Sequence, residues 1–308
     1  MELDSFAEHV KEDVKEKLGA GWHVAVQKVD KNNGVTYTGL RVSREGEQVS
    51  PIVYINDYYD TYKNGNATPL DAAEYVADVC RKKRHTVDVR YLLDYGNVRS
   101  KIVYKLVNTE KNREALEDLP HKAFLDLSIV FQCMVEHKGI GSASVLIHNA
   151  HAKLWGVSVE ELYRAATENT PRLRGYELKS MEEMIHEIMQ RQKAGGQFDG
   201  DGLTGGTGCS FPMYVLSNVQ RTEGAACILY PNFLKDFAEA IGGGFYIIPS
   251  SIHEVLILPE DIADGGKECD EIREMIREVN DTQVLEEELL SYSLYHYDAQ
   301  EDEVRVCA

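Results

Sequence analysis

The sequence predicts an α+β protein whose antiparallel sheets are flanked by helices. Short apolar runs of strand length are separated by polar turns. Other segments repeat apolar residues at helical spacing behind capping residues. The densest apolar stretch, residues 213–260, combines both patterns and predicts a ββαββ core in the C-terminal half.

The predicted core places one helix between two pairs of strands. Pro231 opens this helix, and Phe233 and Phe237 lie at helical spacing on its apolar face. Gly242 stands where the helix should end. The four strands are expected at residues 213–216, 225–230, 245–248 and 255–258.

The N-terminal part predicts a helix, a three-stranded sheet and two further helices. Ser5 and Glu8 form a capping box for the first helix, and Gly19 ends it. Asn56 predicts the cap of a short helix that carries Tyr58, Tyr59 and Tyr62, which we expect to pack beneath the sheet. The first helix has the apolar stripe Phe6, Val10, Val14 and Leu18, and the strands are expected at 22–29, 35–42 and 51–55.

A polar, apolar-poor segment at residues 108–120 predicts a domain boundary. The smaller domain would span residues 1–110 and the larger one residues 111–308. Strands are expected on both sides of the boundary, at 87–93, 101–107, 123–135 and 142–147.

The larger domain continues with three capped helices and a glycine-rich loop at residues 194–208. Asn149 predicts the first cap, while Ser158 with Glu161 and Ser180 with Glu183 form capping boxes. The second of these helices is expected to stop at residues 169–171 because Pro171 removes a backbone donor. The C-terminal part predicts a helix with Ile272, Met275, Ile276 and Val279 inward, then a hairpin of 291–297 with 303–307.

One pattern recurs along the chain: an apolar strand, an Asn and a short helix, at residues 51–62, 143–155 and 226–237. An internal duplication would explain this recurrence. Chance similarity between short α+β units would explain it equally well. In either case Asn56, Asn149 and Asn232 are interpreted as helix caps.

Charge and cysteine content narrow the classes of function. The net charge is −18, and residues 260–308 alone hold 16 acidic and 4 basic side chains. This field disfavours nucleic-acid binding. It is typical either of a solvated acidic face or of a functional surface, which would be a nucleic-acid mimic or a docking surface for a basic protein partner. The six cysteines form no CxxC pair, which indicates reduced thiols rather than a metal centre.

The apolar runs also bear on location. None approaches the roughly 18 residues that a membrane span needs. The first 18 residues are charged and helical in pattern, without the apolar region of a signal peptide, so the sequence predicts a cytoplasmic protein. It predicts no membrane contact, no cofactor and no metal.

Four segments resemble an uncharacterised family of cytoplasmic proteins from anaerobic gut Firmicutes, a domain of unknown function. They are VSVEELYRAATENTP, MYVLSN, GAACILYP and FYIIPSSIHEVLILP, and the resemblance covers nearly the whole chain. It implies a cytoplasmic α+β protein. It supplies no activity, ligand or catalytic residue.

The candidate ligand- or partner-binding residues are Ser250, Ser251, His253 and Glu254, in the turn between the last two core strands. Hydroxyl, imidazole and carboxylate groups meet there, and turns after strands often carry binding sites. Neighbours in sequence rarely provide the geometry of a nucleophile and its base, and no GxSxG elbow is present. We therefore favour turn chemistry over catalysis at this position.

Two other segments are weaker candidates for a site. The glycine-rich loop lacks the GK[ST] and GxGxxG patterns of phosphate loops, so an insertion is the favoured interpretation. His148 and His151 could share a metal on one helix face, but no further ligands are visible nearby.

The sequence thus favours a non-catalytic cytoplasmic binding or regulatory protein with an acidic surface. The alternative is a hydrolase or transferase that uses the turn at residues 250–254. A concave pocket that contains His253 and a remote carboxylate would favour the enzyme.

Overall fold

The computed structural model describes residues 1–44, 50–82, 89–137, 141–184, 186, 213–260 and 267–307. The chain divides into two compact units, Met1–Tyr91 and Leu92–Ala308. Three sheets are present among the described residues, and every strand pair in them is antiparallel. The predicted α+β class with antiparallel sheets and flanking helices is confirmed.

The first unit is a three-stranded sheet packed against three helices. The sheet order is β1-β2-β3. Its elements are α1 (Leu3–Leu18), β1 (Trp22–Asp30), β2 (Thr36–Arg44), β3 (Ile52–Tyr54), α2 (Asn56–Lys63) and α3 (Pro69–Lys82).

The core of the first unit lies between α1, α3 and the sheet. Phe6, Val10 and Val14 on α1 are fully buried, as the helical stripe in the sequence predicts. The rings of Tyr59 and Tyr62 lie 5.4 and 5.1 Å from the ring of Phe6, so these tyrosines pack on the core as expected. All members of this apolar cluster come from residues of the first unit.

Two predicted caps in the first unit are wrong. Helix α1 starts at Leu3 behind Glu2, and Ser5 therefore lies inside the helix. The Asn56 side chain does not cap α2; its Oδ1 accepts the backbone N–H of Thr38 at 2.9 Å. Asn56 follows β3, which pairs with β2. Its side-chain oxygen therefore accepts the Thr38 N–H of β2, in the place where a backbone carbonyl of a longer β3 would do so.

The second unit holds the other two sheets. One has the order β13-β12-β10-β11-β9-β8; in the other, β4, β5 and β7 all pair with β6. The strands are β4 (Ile102–Asn108), β5 (His121–Phe124), β6 (Leu127–His137), β7 (Gly141–Leu146), β8 (Glu177–Ser180), β9 (Tyr214–Ser217), β10 (Phe245–Ile248), β11 (Glu254–Pro259), β12 (Tyr295–Asp298) and β13 (Glu303–Val306). The helices are α4 (Tyr95–Val98), α5 (Arg113–Leu116), α6 (Asn149–Trp155), α7 (Val159–Arg174), α8 (Phe233–Ile241) and α9 (Lys267–Gln283), besides a turn that starts at Met181.

The predicted ββαββ core is correct except for its second strand. Strands β9, β10 and β11 and helix α8 are present, but Gly224–Leu229 is a 3₁₀ helix rather than a strand. Strand β9 already pairs with β8 on one edge and with β11 on the other, so the apolar run finds no free edge. It is buried instead as a compact turn of small residues.

Three further predictions differ from the structure in the second unit. The described end of the predicted strand 87–93 is a 3₁₀ helix, Val89–Leu93. The predicted strand 123–135 is divided into β5 and β6 by a turn in which Leu125 has a φ of 55°. Helix α7 continues through Pro171 to Arg174 because its last turn is held by tertiary bonds. There Asn169 donates to the carbonyls of Arg99 and Ile102, and the Thr170 hydroxyl accepts the N–H of Tyr104.

The capping residues after β7 and β8 are partly as predicted. Ser158 and Glu161 form the expected capping box at α7, and Ser180 and Glu183 make the same bonds at 2.9–3.2 Å. Asn149 is not a cap, because His148 occupies that position and the Asn149 amide donates to the carbonyl of Glu117.

The proposed recurrence is visible in two of the three places. A strand, a short helix and a longer helix follow one another at Ile52–Tyr54 and again at Gly141–Leu146. The third place starts with a 3₁₀ helix, and its Asn232 stands before α8 without a side-chain cap bond. A duplication therefore stays a prediction.

Helix α9 buries a narrower face than the sequence predicts. Ile276 is buried and Ile272 and Cys269 pack on the same apolar cluster, whereas Met275 and Val279 are 40% and 39% exposed. Only one line of the helix contacts the sheet, so the flanking apolar side chains remain in water. The described part of the chain contains no helix with the length and apolar composition needed to cross a bilayer.

We predict that residues 1–91 fold alone as a domain, because the described members of their apolar cluster all come from this unit. The isolated fragment should unfold cooperatively in urea, and Phe6→Ala should lower its free energy of unfolding by about 3–5 kcal/mol. Circular dichroism and tryptophan fluorescence would measure both. A fragment without a cooperative transition would contradict the assignment.

Candidate functional site

A largely buried group of charged side chains lies where α7, β4 and β6 of the second unit meet. The Arg174 side chain is 4% exposed and its Nη2 lies 3.0 Å from Oε2 of Glu223. The other carboxylate oxygen of Glu223 accepts from Lys105 at 3.0 Å and from Gln132 at 2.7 Å. Arg174 also donates to Gln132 at 3.1 Å and to the carbonyl of Thr222 at 3.0 Å. We call these four side chains (Lys105, Gln132, Arg174 and Glu223) the ion cluster.

The ion cluster keeps Glu223 ionised. Burial alone would raise the pKa of this carboxyl, but the charges of Lys105 and Arg174 and the bonds from Lys105 and Gln132 outweigh it, and the pKa lies below its ordinary value. Glu223 has a φ of 57°, an unfavourable conformation for a non-glycine residue. Removal of Glu223 would leave the buried Arg174 without its counter-charge.

His253 joins the ion cluster to the C-terminal segment. Its Nδ1 accepts the backbone N–H of Glu223 at 3.2 Å, and its Nε2 lies 3.2 Å from Oε1 of Glu288. This pairing requires the tautomer with hydrogen on Nε2. Both ring nitrogens thus have protein partners, and the imidazole contacts a remote carboxylate rather than a serine hydroxyl.

The other predicted site residues form a turn that is held by hydrogen bonds to its own backbone and to neighbouring segments. The Ser251 hydroxyl accepts the N–H of His253 at 3.0 Å, and the carbonyl of Ser250 accepts the N–H of Leu290 at 2.9 Å. Glu254 starts β11 opposite Ser217, whose hydroxyl donates to the carbonyl of His253 at 2.7 Å. The structure therefore brings Ser251 and His253 together through the backbone. It does not assemble their side chains as nucleophile and base.

A close approach of two backbone segments holds this turn. A Cβ on Gly224 would lie 2.5 Å from both the His253 carbonyl oxygen and the Asn218 nitrogen, and 2.2 Å from the Ser217 hydroxyl. Only glycine fits here, so the 3₁₀ helix, β9 and β11 are packed backbone to backbone.

The other two candidate segments are placed as follows. His148 Nδ1 lies 2.8 Å from a carboxylate oxygen of Asp118, and the ring of His151 stacks on that of Trp155 at 5.8 Å. No group of three or more His, Cys, Asp or Glu side chains within the described ranges could hold a metal ion. The glycine-rich loop at 194–208 lies outside the described residues.

Five cysteines lie in the described part of the chain, and all five are free. Burial raises the pKa of the Cys133 thiol to about 11 and that of the Cys227 thiol to about 12. These two thiols are therefore protonated near neutral pH and unreactive as nucleophiles.

An open groove with apolar walls lies beside the ion cluster, with a volume of about 520 Å³. We call it the aromatic groove. The rings of Phe233 and Phe237 are largely buried, whereas Tyr176 and Val219 are 55% and 67% exposed. Its lining residues are Pro171, Gly175, Tyr176, Leu178, Val219, Tyr230, Pro231, Phe233, Asp236 and Phe237.

The rings of the groove form a continuous packed series. Tyr176 meets Phe233 edge-on with ring centres 5.0 Å apart, and Phe233 is parallel to Phe237 at 6.4 Å. Phe237 in turn packs edge-on against Phe245 of the sheet at 5.1 Å. The buried rings are thus fixed by the core, while the outer ring stays accessible.

The ion cluster positions the groove through the residues next to it. The carbonyl of Arg174 accepts the N–H of Val219 at 3.2 Å, and the carbonyl of Gly175 accepts the Tyr230 hydroxyl at 3.0 Å. Gly175 has a φ of 58°, and a Cβ there would lie 3.0 Å from a methyl carbon of Val219. Glycine is therefore required at position 175, between the end of α7 and the groove residue Tyr176.

Sequence reasoning missed the groove because its exposed members lie in connecting segments. Tyr176 follows a helix end and Val219 follows a strand end, and neither belongs to a periodic pattern. An available signal was the presence of an aromatic and an aliphatic residue in otherwise polar turns. Phe233 and Phe237 were identified, but as core residues.

We predict that Glu223→Gln lowers stability at neutral pH by about 3–5 kcal/mol, because Lys105 and Arg174 lose their buried counter-charge. The pKa of Glu223 is lowered in the folded protein, so its contribution is present above the unfolded value of 4.5 and is lost as pH falls below it. Urea unfolding between pH 3 and 7 would measure both effects. The parent should lose more stability than the variant below pH 4.5, and parallel curves would contradict this role.

Comparisons with known proteins place the chain in a family but name no activity. No curated protein matches the chain, and no solved structure matches it either. Residues 3–299 match a family described as a family of unknown function (DUF5688). Because this match covers nearly the whole chain, the protein belongs to the DUF5688 family.

Proposed function

We propose that this protein is a non-catalytic binding protein that takes its ligand in the aromatic groove. The observation that carries the proposal is the pair of exposed apolar side chains, Tyr176 and Val219, above buried rings. Solvent-exposed apolar surface that rests on well-packed core residues is typical of a binding site. The groove volume of about 520 Å³ lies within the usual range for small ligands.

The cysteines in the described part of the chain are free thiols, which supports a reducing, cytoplasmic location for the proposed binding protein. The acidic residues of the C-terminal part support a regulatory role through a basic partner. The groove supplies the ligand site that such a protein needs.

The turn at residues 250–254 supports a second candidate, because His253 contacts the remote carboxylate of Glu288 at 3.2 Å. A histidine held by a carboxylate is the arrangement of a general base in a hydrolase or transferase. However, its other nitrogen already accepts from Glu223. The binding protein is therefore the better-supported function, and the turn serves it as a structural link.

We predict that Tyr176→Ala and Val219→Ser each weaken binding of the neutral fluorescent probe Nile red by about tenfold or more, because each removes apolar surface that the probe would cover. Both side chains are exposed, so stability should change by less than about 0.5 kcal/mol. Leu93→Ser is the matched control, since Leu93 is 64% exposed and lies outside the groove. Equal loss of probe binding in Leu93→Ser, or no loss in the groove variants, would contradict the proposal.

We also predict that His253→Ala lowers stability by about 1–3 kcal/mol, because the backbone N–H of Glu223 loses its acceptor. The parent should show no turnover of nitrophenyl ester, phosphoester or anilide substrates. Unfolding and absorbance assays on parent and variant would test both statements. Turnover in the parent that disappears in His253→Ala, with stability unchanged, would establish the enzyme instead.

A further inference from the structure

Asp236 gives the aromatic groove a charge of one sign. Among the described residues that line the groove, Asp236 alone is charged. It lies on the exposed side of α8, one residue before the buried ring of Phe237. Its carboxylate makes no hydrogen bond or ion pair with another side chain in the part of the chain that the structure describes.

Two arginines that flank the groove in sequence are already paired with carboxylates, and the exposed Lys235 lies outside the groove lining. Arg174 is buried against Glu223 at 3.0 Å, and Arg221 lies 2.8 Å from Glu177. The unpaired carboxylate is therefore not balanced by an arginine from either segment. The net charge of −18 adds a long-range field of the same sign.

Aromatic rings and a carboxylate favour the same kind of ligand. The face of an aromatic ring carries negative charge and attracts a cation. Four rings line the groove, those of Tyr176, Tyr230, Phe233 and Phe237. A ligand with an alkylated ammonium group would place its methyl groups against the rings and its charge near Asp236. An anion would meet repulsion from both.

We propose that the aromatic groove binds a small organic cation, of the alkylated-ammonium class, with Asp236 as its counter-charge. This inference rests on the proposed function and specifies the ligand. A small ligand is favoured over a protein segment because the groove volume of about 520 Å³ matches small-molecule sites.

Three compounds of nearly one shape and different charge would test the inference. Choline carries a trimethylammonium group, 3,3-dimethylbutan-1-ol replaces its nitrogen by carbon, and 3,3-dimethylbutanoate is an anion. Titrations followed by ligand-observed NMR on the full-length protein should show choline binding about tenfold or more tighter than the alcohol. The anion should not bind.

The variant Asp236→Asn should remove most of the preference for choline and leave binding of the alcohol unchanged. Glu239→Gln is the matched control, because it removes one exposed negative charge from the same helix outside the groove lining. The preference should persist in that control. If it falls equally in both variants, the net field selects the cation and Asp236 does not.

The failures of the two proposals are distinguishable. Equal binding of choline and the alcohol, with Nile red still bound, would overturn the cation and leave the groove as an apolar site. Loss of Nile red and of all three compounds would remove the groove itself. Binding of a lysine-rich peptide but not of choline, weakened by Asp236→Asn, would replace the small cation by a basic protein segment.

Discussion

The pairing of Arg174 with Glu223 is the constraint on which the second unit depends. The Arg174 side chain is buried and that of Glu223 is only 14% exposed, and an isolated charge in such a place is strongly destabilising. Each therefore needs the other, while Lys105 pairs with Glu223 and Gln132 bonds to both of them. Because these residues come from β4, β6, the end of α7 and the turn before the 3₁₀ helix, the cluster holds four segments in one arrangement.

The groove and the turn at residues 250–254 are two consequences of that arrangement. The carbonyl of Arg174 holds Val219, and the backbone of Glu223 holds His253. One ion cluster thus positions both candidate sites. The rings of the groove are connected to the sheet through Phe237 and Phe245, so the groove is packed on the core at its base and open at its rim.

A second clamp fixes the C-terminal segment on the same unit. Asp126, in the turn between β5 and β6, accepts hydroxyls from Ser291 at 2.6 Å and from Ser293 at 3.0 Å, and also from Tyr295. Tyr295 belongs to β12 of the six-stranded sheet. A single carboxylate thereby ties the two sheets of the unit together, which neither residue type nor spacing could have indicated.

The sequence predicted a structural feature correctly where the residues that form it are close together along the chain. The stripe of α1, the capping box of Ser158 with Glu161 and the end of α8 at Gly242 depend on neighbours within a turn or two. Apolar spacing likewise determined the α+β class and most strands. The sequence also determined the acidic charge and the absence of phosphate-loop and GxSxG patterns.

Tertiary structure decided what depends on distant partners. The run at 225–230 became a 3₁₀ helix because both edges of β9 were occupied, and α7 passed Pro171 because β4 and the segment before it hold its last turn. Met275 and Val279 are exposed because the sheet covers only one line of α9. The aromatic groove exists only where a helix end, a strand end and α8 meet, and the ion cluster that brings them together joins residues more than a hundred positions apart in sequence. Pairing of charges in a buried place is a property of the folded chain, and no local pattern records it.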